Sequence, residues 1–147
     1  MWDLLTEKIK SILSSNDLLE NVYNYEASDM SGTPIATFTP SANESDYSTT
    51  TENRRVYAFN IRLFVNRLSG EQNEYNADAA MRQLVDSVLD DFDKNHRLTG
   101  LGTKTGYCYL YLEALPSQWG YAGAENNYRV AELSLRVHFD VDINQII

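Results

Sequence analysis

The chain is short of cysteine, of basic charge and of long apolar runs, and each shortage closes off a class of protein. A single cysteine, Cys108, among 147 residues excludes an intrachain disulfide framework and suits a chain made in a reducing cytoplasm. Its place on a strand between two tyrosines is that of a small buried hydrophobe rather than of a reactive thiol. Lys and Arg number 12 against 21 Asp and Glu, a formal net charge of -9. That balance works against nonspecific attraction to nucleic acid or to an anionic membrane, both of which need clustered basic side chains. No apolar run nears the ~20 residues that cross a bilayer. Met1 to Leu13 mixes charge with hydrophobe and lacks the apolar block of a secretory leader.

What the chain does have is periodicity. From Tyr57 the residues Tyr57, Phe59, Ile61, Leu63 and Val65 alternate with Ala58, Asn60, Arg62 and Asn66, which predicts a strand over Arg54 to Leu68 with one buried face. Ala131, Leu133, Leu135, Val137, Phe139 and Val141 repeat the pattern near the far end, within a last strand from about Tyr128 to Asp142. Between them Ala77, Met81, Leu84, Val85, Val88, Leu89 and Phe92 form one stripe of an amphipathic helix, from about Tyr75 to Asp93. Asn73 or Asn76 is placed to cap its start. Lys94, His96 and Arg97 sit at its end, where positive charge complements the helix dipole and gives His96 a structural role.

The rest attaches to that unit. Trp2, Leu5, Ile9, Ile12 and Leu13 mark a first core-packing helix, stopped by Ser14, Ser15 and Asn16. Val22, Tyr23 and Tyr25 suit a short strand, Ser31 to Pro34 a turn, and Ile35 to Thr39 a second short strand bounded by Pro34 and Pro40. Ser41 to Asn53 is polar, carries one aromatic, Tyr47, and is expected to be a long loop or β-arm that touches a partner. Ser69 to Glu71 suits a turn, Thr99 to Gly106 is a glycine-rich connection, and 116–127 is expected to be a second long loop. In the strand Tyr107 to Leu115, Cys108, Leu110 and Leu112 are expected to face the core, and Tyr107, Tyr109, Tyr111 and Glu113 to face away. The order predicts a single α+β domain over 1–147, a mostly antiparallel sheet with two helices on one face. The helices would cover Tyr57, Phe59, Ile61, Leu63, Leu110, Leu112, Leu133, Leu135 and Val137.

Chemistry is sparse. Gly100 to Gly106 has glycines and Lys104, but it follows a helix and opens a strand, the reverse of a phosphate-binding loop. His138, Asp140 and Asp142 share one strand face and lack a further ligand for a metal, so a solvated face is expected. Ser134, His138 and Asp140 rise ~3.3 Å per residue along one strand and cannot converge into a triad. Asp86, Asp90, Asp91 and Asp93 read as a wet helix face, Asp86 with Arg82 one turn earlier as its partner. No catalytic residue, metal or cofactor is therefore assigned, and the chain is not expected to be an enzyme. The informative oddity is aromatic: ten tyrosines, three of them expected with Val56, Ala58 and Phe64 on a sheet face with no layer of its own. Such a face predicts self-association or docking. Base stacking on the tyrosines conflicts with the acidic balance.

Several segments also resemble a known family. The N-terminal helix, Val22-Tyr23-Asn24-Tyr25-Glu26, Gly32-Thr33-Pro34-Ile35-Ala36 and the Thr-rich loop are similar in pattern to tail terminator (tail completion) and related neck proteins of long-tailed bacteriophages. So are Asn53-Arg54-Arg55-Val56-Tyr57-Ala58-Phe59, the helix Met81 to Phe92, and Asn127-Tyr128-Arg129-Val130-Ala131-Glu132-Leu133. The resemblance implies a virion protein, assembled in the host cytoplasm, whose copies form a hexameric ring at the head–tail junction. Such a ring caps the tail tube, ends its polymerisation, joins the head connector and leaves a channel through which DNA passes without specific binding. Its implied partners are itself, the tail tube protein and the head-closure or connector protein, with no membrane. By position, Tyr107, Tyr109, Tyr111, Tyr47 and Arg54 would lie at subunit contacts, and Trp119, Tyr121 and Glu125 would contact the tube or connector. A different neck or tail component, or a small binding module, is the alternative.

Overall fold

The structure, a computed structural model, describes residues 1–27, 32–67, 71–124 and 127–146, with only the backbone of 71–75. Five strands make one sheet in the order β1-β2-β3-β5-β4: β1 (Asn21–Tyr23), β2 (Ile35–Tyr47), β3 (Glu52–Asn66), β4 (Tyr107–Ala122) and β5 (Tyr128–Asp142). All neighbours run antiparallel except β1 and β2, which are parallel over three residues. Helices α1 (Trp2–Ser14) and α2 (Glu71–Lys94) cover one face, and a 3-10 turn follows β5. The α+β class and the mostly antiparallel sheet are as the periodicity predicts.

The central pair shows why. β3 and β5 align in unbroken register from Glu52 opposite Asp142 to Asn66 opposite Tyr128. Their alternating Tyr57, Phe59, Ile61, Leu63 and Leu133, Leu135, Val137, Phe139 enter one core with Leu5, Ile9, Met81, Leu84, Val88 and Phe92. Fully burying side chains of this size stabilises by about 1.5–3 kcal/mol each, so the two strands and α2 hold one another in place. Trp2 sets its ring edge-on against Tyr57 and Phe59, with centroids 4.9 and 5.1 Å apart. Asn16 joins the helices: its buried Nδ2 donates to Ser87 Oγ at 2.9 Å and to Asp91 Oδ2 at 2.7 Å.

Several expectations are corrected. Of the two forms expected for residues 41–53 the chain takes the β-arm and not the loop: β2 runs on to Tyr47, pairs with β3, and turns at 48–51. Residues 116–122 of the second expected loop are strand as well, because β4 continues to Ala122 along β5. Helix α2 starts at Glu71, so Asn73 and Asn76 lie within it rather than capping it. Arg82 and Asp86 form no ion pair among the described residues. Leu68, the turn residues Ser69 and Gly70, Ser31 of the other expected turn, and Glu125 lie outside the described residues.

Candidate functional site

β4 decides where the tyrosines point, and a break in its register reverses the expected assignment. Tyr107 opposes Val141 and Tyr109 opposes Phe139, so both face the helices. Past an irregularity between Tyr109 and Tyr111, the phase shifts by one: Tyr111 opposes His138 on the outer face, while Leu112 opposes Val137 on the helix face. Tyr107 and Tyr109 therefore pack edge-on against Phe139, at 6.1 and 5.8 Å, as part of the core margin. The Tyr109 hydroxyl donates to the His96 carbonyl just beyond α2, and burial pushes its pKa up to about 12. Cys108, expected inside, is exposed on the opposite face. Leu110, expected under the helices, falls at the irregularity itself.

The outer face is consequently less apolar than expected. Tyr111 remains there and is 42% exposed, its ring stacked on His138 at 4.1 Å. Around them runs a network of opposite charges. Arg136 pairs with Glu44 at 2.8 Å and Glu113 at 4.0 Å, Arg54 with Asp140 at 3.2 Å, and Arg62 with Glu132 at 3.2 Å. Val56 and Ala58 lie buried among these long side chains, and Ile35, Phe64 and Val130 form a second small cluster beside them. The Arg62 guanidinium stands 5.2 Å over the Phe64 ring. His138, expected to be solvated, is buried: its Nε2 has no hydrogen bond, and Glu113 Oε2 lies 3.8 Å away. Among the described residues no three His, Cys, Asp or Glu side chains are grouped to hold a metal.

At the far end of β4, Trp119 and Tyr121 are 38% and 45% exposed. By register they share a face with Arg129, whose guanidinium lies 5.2 Å from the Trp119 ring and 4.6 Å from that of Tyr121. Asp78 of α2 accepts from Arg129 Nε at 2.7 Å, so the two expected contact residues stand on an anchored platform. Sequence reasoning named the two aromatics and missed Arg129, which carries no signal of its own until β4 is known to be a strand there.

The third grouping was also missed. Arg55 donates to the Tyr107 hydroxyl, and Lys104 Nζ sits 4.8 Å over the Tyr107 ring. Burial raises the Tyr107 pKa, but the hydrogen bond with Tyr57 and the charges of Arg55 and Lys104 outweigh it and leave the group below its usual value. Tyr57 is pushed up to about 12 by burial and by Tyr107. Arg55, Lys104 and Tyr107, with Thr105, Gln145 and Ile146, line an open recess of about 440 Å³. Neither Arg55 nor Lys104 meets a carboxylate among the described residues.

The sheet also ends in two unlike edges. β1 pairs only with Ile35 to Thr37, so from Phe38 to Tyr47 one side of β2 has no strand beside it among the described residues. From Ser41 to Tyr47 the residues are exposed whichever face they point to. β4 is the opposite edge along its whole length. One cross-strand row, Tyr47–Asn53–Val141–Tyr107, joins the two edges at the same level.

The molecule is thus an α+β protein with one face covered by helices, a charge-paired outer face and two edges open to strand addition. No protein-family model matches the chain, and no curated protein sequence matches it. A solved structure, the virion of a native gene transfer agent particle, contains a chain similar to this one at 15% identity and a TM-score of 0.37, with 90% of this chain and 84% of that chain covered. Similarity at that level leaves the function to be argued from the edges.

Proposed function

We propose that the chain is a structural, non-enzymatic ring subunit of a phage-type virion, placed at the head–tail junction. Copies join head to tail, cap the tail tube, end its growth, dock to the head connector and leave a channel for DNA. The observation that carries the reading is the pair of unlike open edges at one level of one sheet. A strand edge presents unpaired N–H and C=O groups and is a template for another strand. Two different edges make a heterologous contact, which closes into a ring when the rotation allows. Strand directions agree with this: β4 runs antiparallel to β2, so a neighbour's β2 would add to β4 in the stronger antiparallel mode. The sequence patterns shared with tail terminators support the same conclusion, and the net charge of -9 suits a conduit that repels phosphate.

In this arrangement Tyr47, 64% exposed at the end of β2, lies at the seam, with Arg54 one strand in. On the outer face of β4 Tyr111 is exposed and available to a neighbour, whereas Tyr107 and Tyr109 pack at the core margin on the helix side. Trp119 and Tyr121 are the contacts for the tube or connector. Native mass measurement of the purified protein, alone and mixed with tail tubes, tests the proposal: a hexamer is expected. A strict monomer under both conditions overturns it. Open-ended polymers of the protein alone would instead favour a tube-like component.

A further inference from the structure

The recess at Arg55, Lys104 and Tyr107 has no role in the fold's own packing, and its position relative to the open edges gives it one. We infer that it is the seat for Tyr47 of the neighbouring copy. The inference rests on the ring proposed above and names the contact that closes its seam.

Three observations converge. The first is level: Tyr47 and Tyr107 end the same cross-strand row, so a neighbour's β2 added to β4 without stagger sets its Tyr47 beside Tyr107. The second is face. Tyr47 opposes Asn53, and Tyr107 opposes Val141, both on the helix side, so in a continuous sheet the phenol arrives on the side where the recess opens. The third is chemistry. The recess offers the apolar Ile146 and two cations without carboxylate partners among the described residues. The negative face of a phenol ring complements such cations, and its hydroxyl accepts from them. The hairpin that carries Tyr47 adds to the match through Asp46 and Glu52, its acidic residues beyond Glu44, which Arg136 already holds. An acidic arm approaching a basic recess is steered toward it.

A cross-link tests this without disturbing the fold, because Tyr47 and Thr105 are both exposed. With Cys108→Ser removing the native thiol, Tyr47→Cys and Thr105→Cys are introduced together and singly. Within one chain the two edges are three strand spacings apart, ~14 Å, beyond the Cα separation of about 7 Å that a disulfide spans. Any bond between them is therefore between copies. Mild oxidation of the double variant is expected to give a ladder of linked species up to the full ring, and a mixture of the two single variants only dimers. Lys104→Glu on the natural sequence is expected to lower the assembled fraction. A ring seen by native mass in the double variant that gives no ladder overturns the seat and leaves the ring standing. Linked dimers from Tyr47→Cys alone would mean a symmetric contact and overturn the seat too. A natural protein that stays monomeric at every concentration, alone and mixed with tail tubes, overturns the ring, and the seat with it.

Discussion

Tyr109 is held from two directions, by the edge of Phe139 and by the carbonyl of His96, whereas Tyr111 touches mainly the flat ring of His138. Their substitutions should therefore separate. Tyr109→Phe loses the hydrogen bond to the His96 carbonyl, about 1 kcal/mol, and Tyr109→Ser loses the ring as well, about 2–3 kcal/mol. Tyr111→Ser should cost under about 1 kcal/mol, as exposed substitutions do. Urea unfolding of the three variants checks this, and equal losses at the two positions would return both rings to one face. His138 supplies a pH dependence. Burial lowers its pKa, Glu113 raises it, and Arg136 and Arg54 lower it further, leaving the net value below the ordinary 6.5. The unfolded chain then takes up the proton at higher pH than the folded one. Stability is complete above 6.5 and falls as pH drops through the window beneath it. Comparing urea midpoints at about pH 7.5 and about pH 5 should show the loss, and His138→Gln should flatten it. An unchanged slope in that variant would assign the effect to other groups. Glu44 acts in a separate window: its hydrogen bond and ion pair with Arg136 lower its pKa, so its contribution is lost only as pH falls beneath 4.5.

Among elements, those with one continuous dry face were legible from the residues alone. β3, β5 and α2 each keep an unbroken apolar series on the helix-packed side, and a period of two or of 3.6 follows from that even though Val56, Ala58, Phe64 and Val130 are also buried on the other face of the sheet. For β2 beyond Pro40 the residues leave loop and β-arm open, because it is wet on both faces and a strand without a dry face has nothing to alternate. Its strand character comes from pairing with β3, a long-range property. β4 hid its extent behind Pro116 and Gly120, which read as loop-formers, and it hid its phase behind a register break. Tyr107 and Tyr109 on one side, then Leu112 and Ala114, occupy the helix face, a set that no uniform alternation contains. Anchoring the phase on Leu110 and Leu112 turned the tyrosines outward, and with them went the expectation of an apolar outer face. The charges that cover that face come from four strands, and their pairing shows only once the register is known. Tyr47, Arg54, Trp119 and Tyr121 were picked out by position. The cations beside them, Arg129 against Trp119 and Tyr121, and Arg55 with Lys104 at the seat proposed for Tyr47, were not.

For the molecule as a whole, the net charge of -9 sets the terms on which the proposed assembly would form. In the proposed ring, six copies would repel one another over tens of ångströms, while the proposed contact of the Tyr47 hairpin with the basic recess would attract. Salt acts on these unequally. The screening length is ~30 Å at 10 mM and ~8 Å at 150 mM, so added salt removes repulsion between distant surfaces before it weakens charges packed a few ångströms apart. The backbone hydrogen bonds of an edge-to-edge join carry no net charge, and screening scarcely touches them. Assembly should therefore strengthen as salt rises from ~10 to ~150 mM, and sedimentation at fixed protein concentration would show the ring fraction growing. A ring that instead dissolves over that range would have to be held by charge attraction across its seams. That behaviour would take the strength of the assembly away from paired strands and give it to the contact at Arg55 and Lys104.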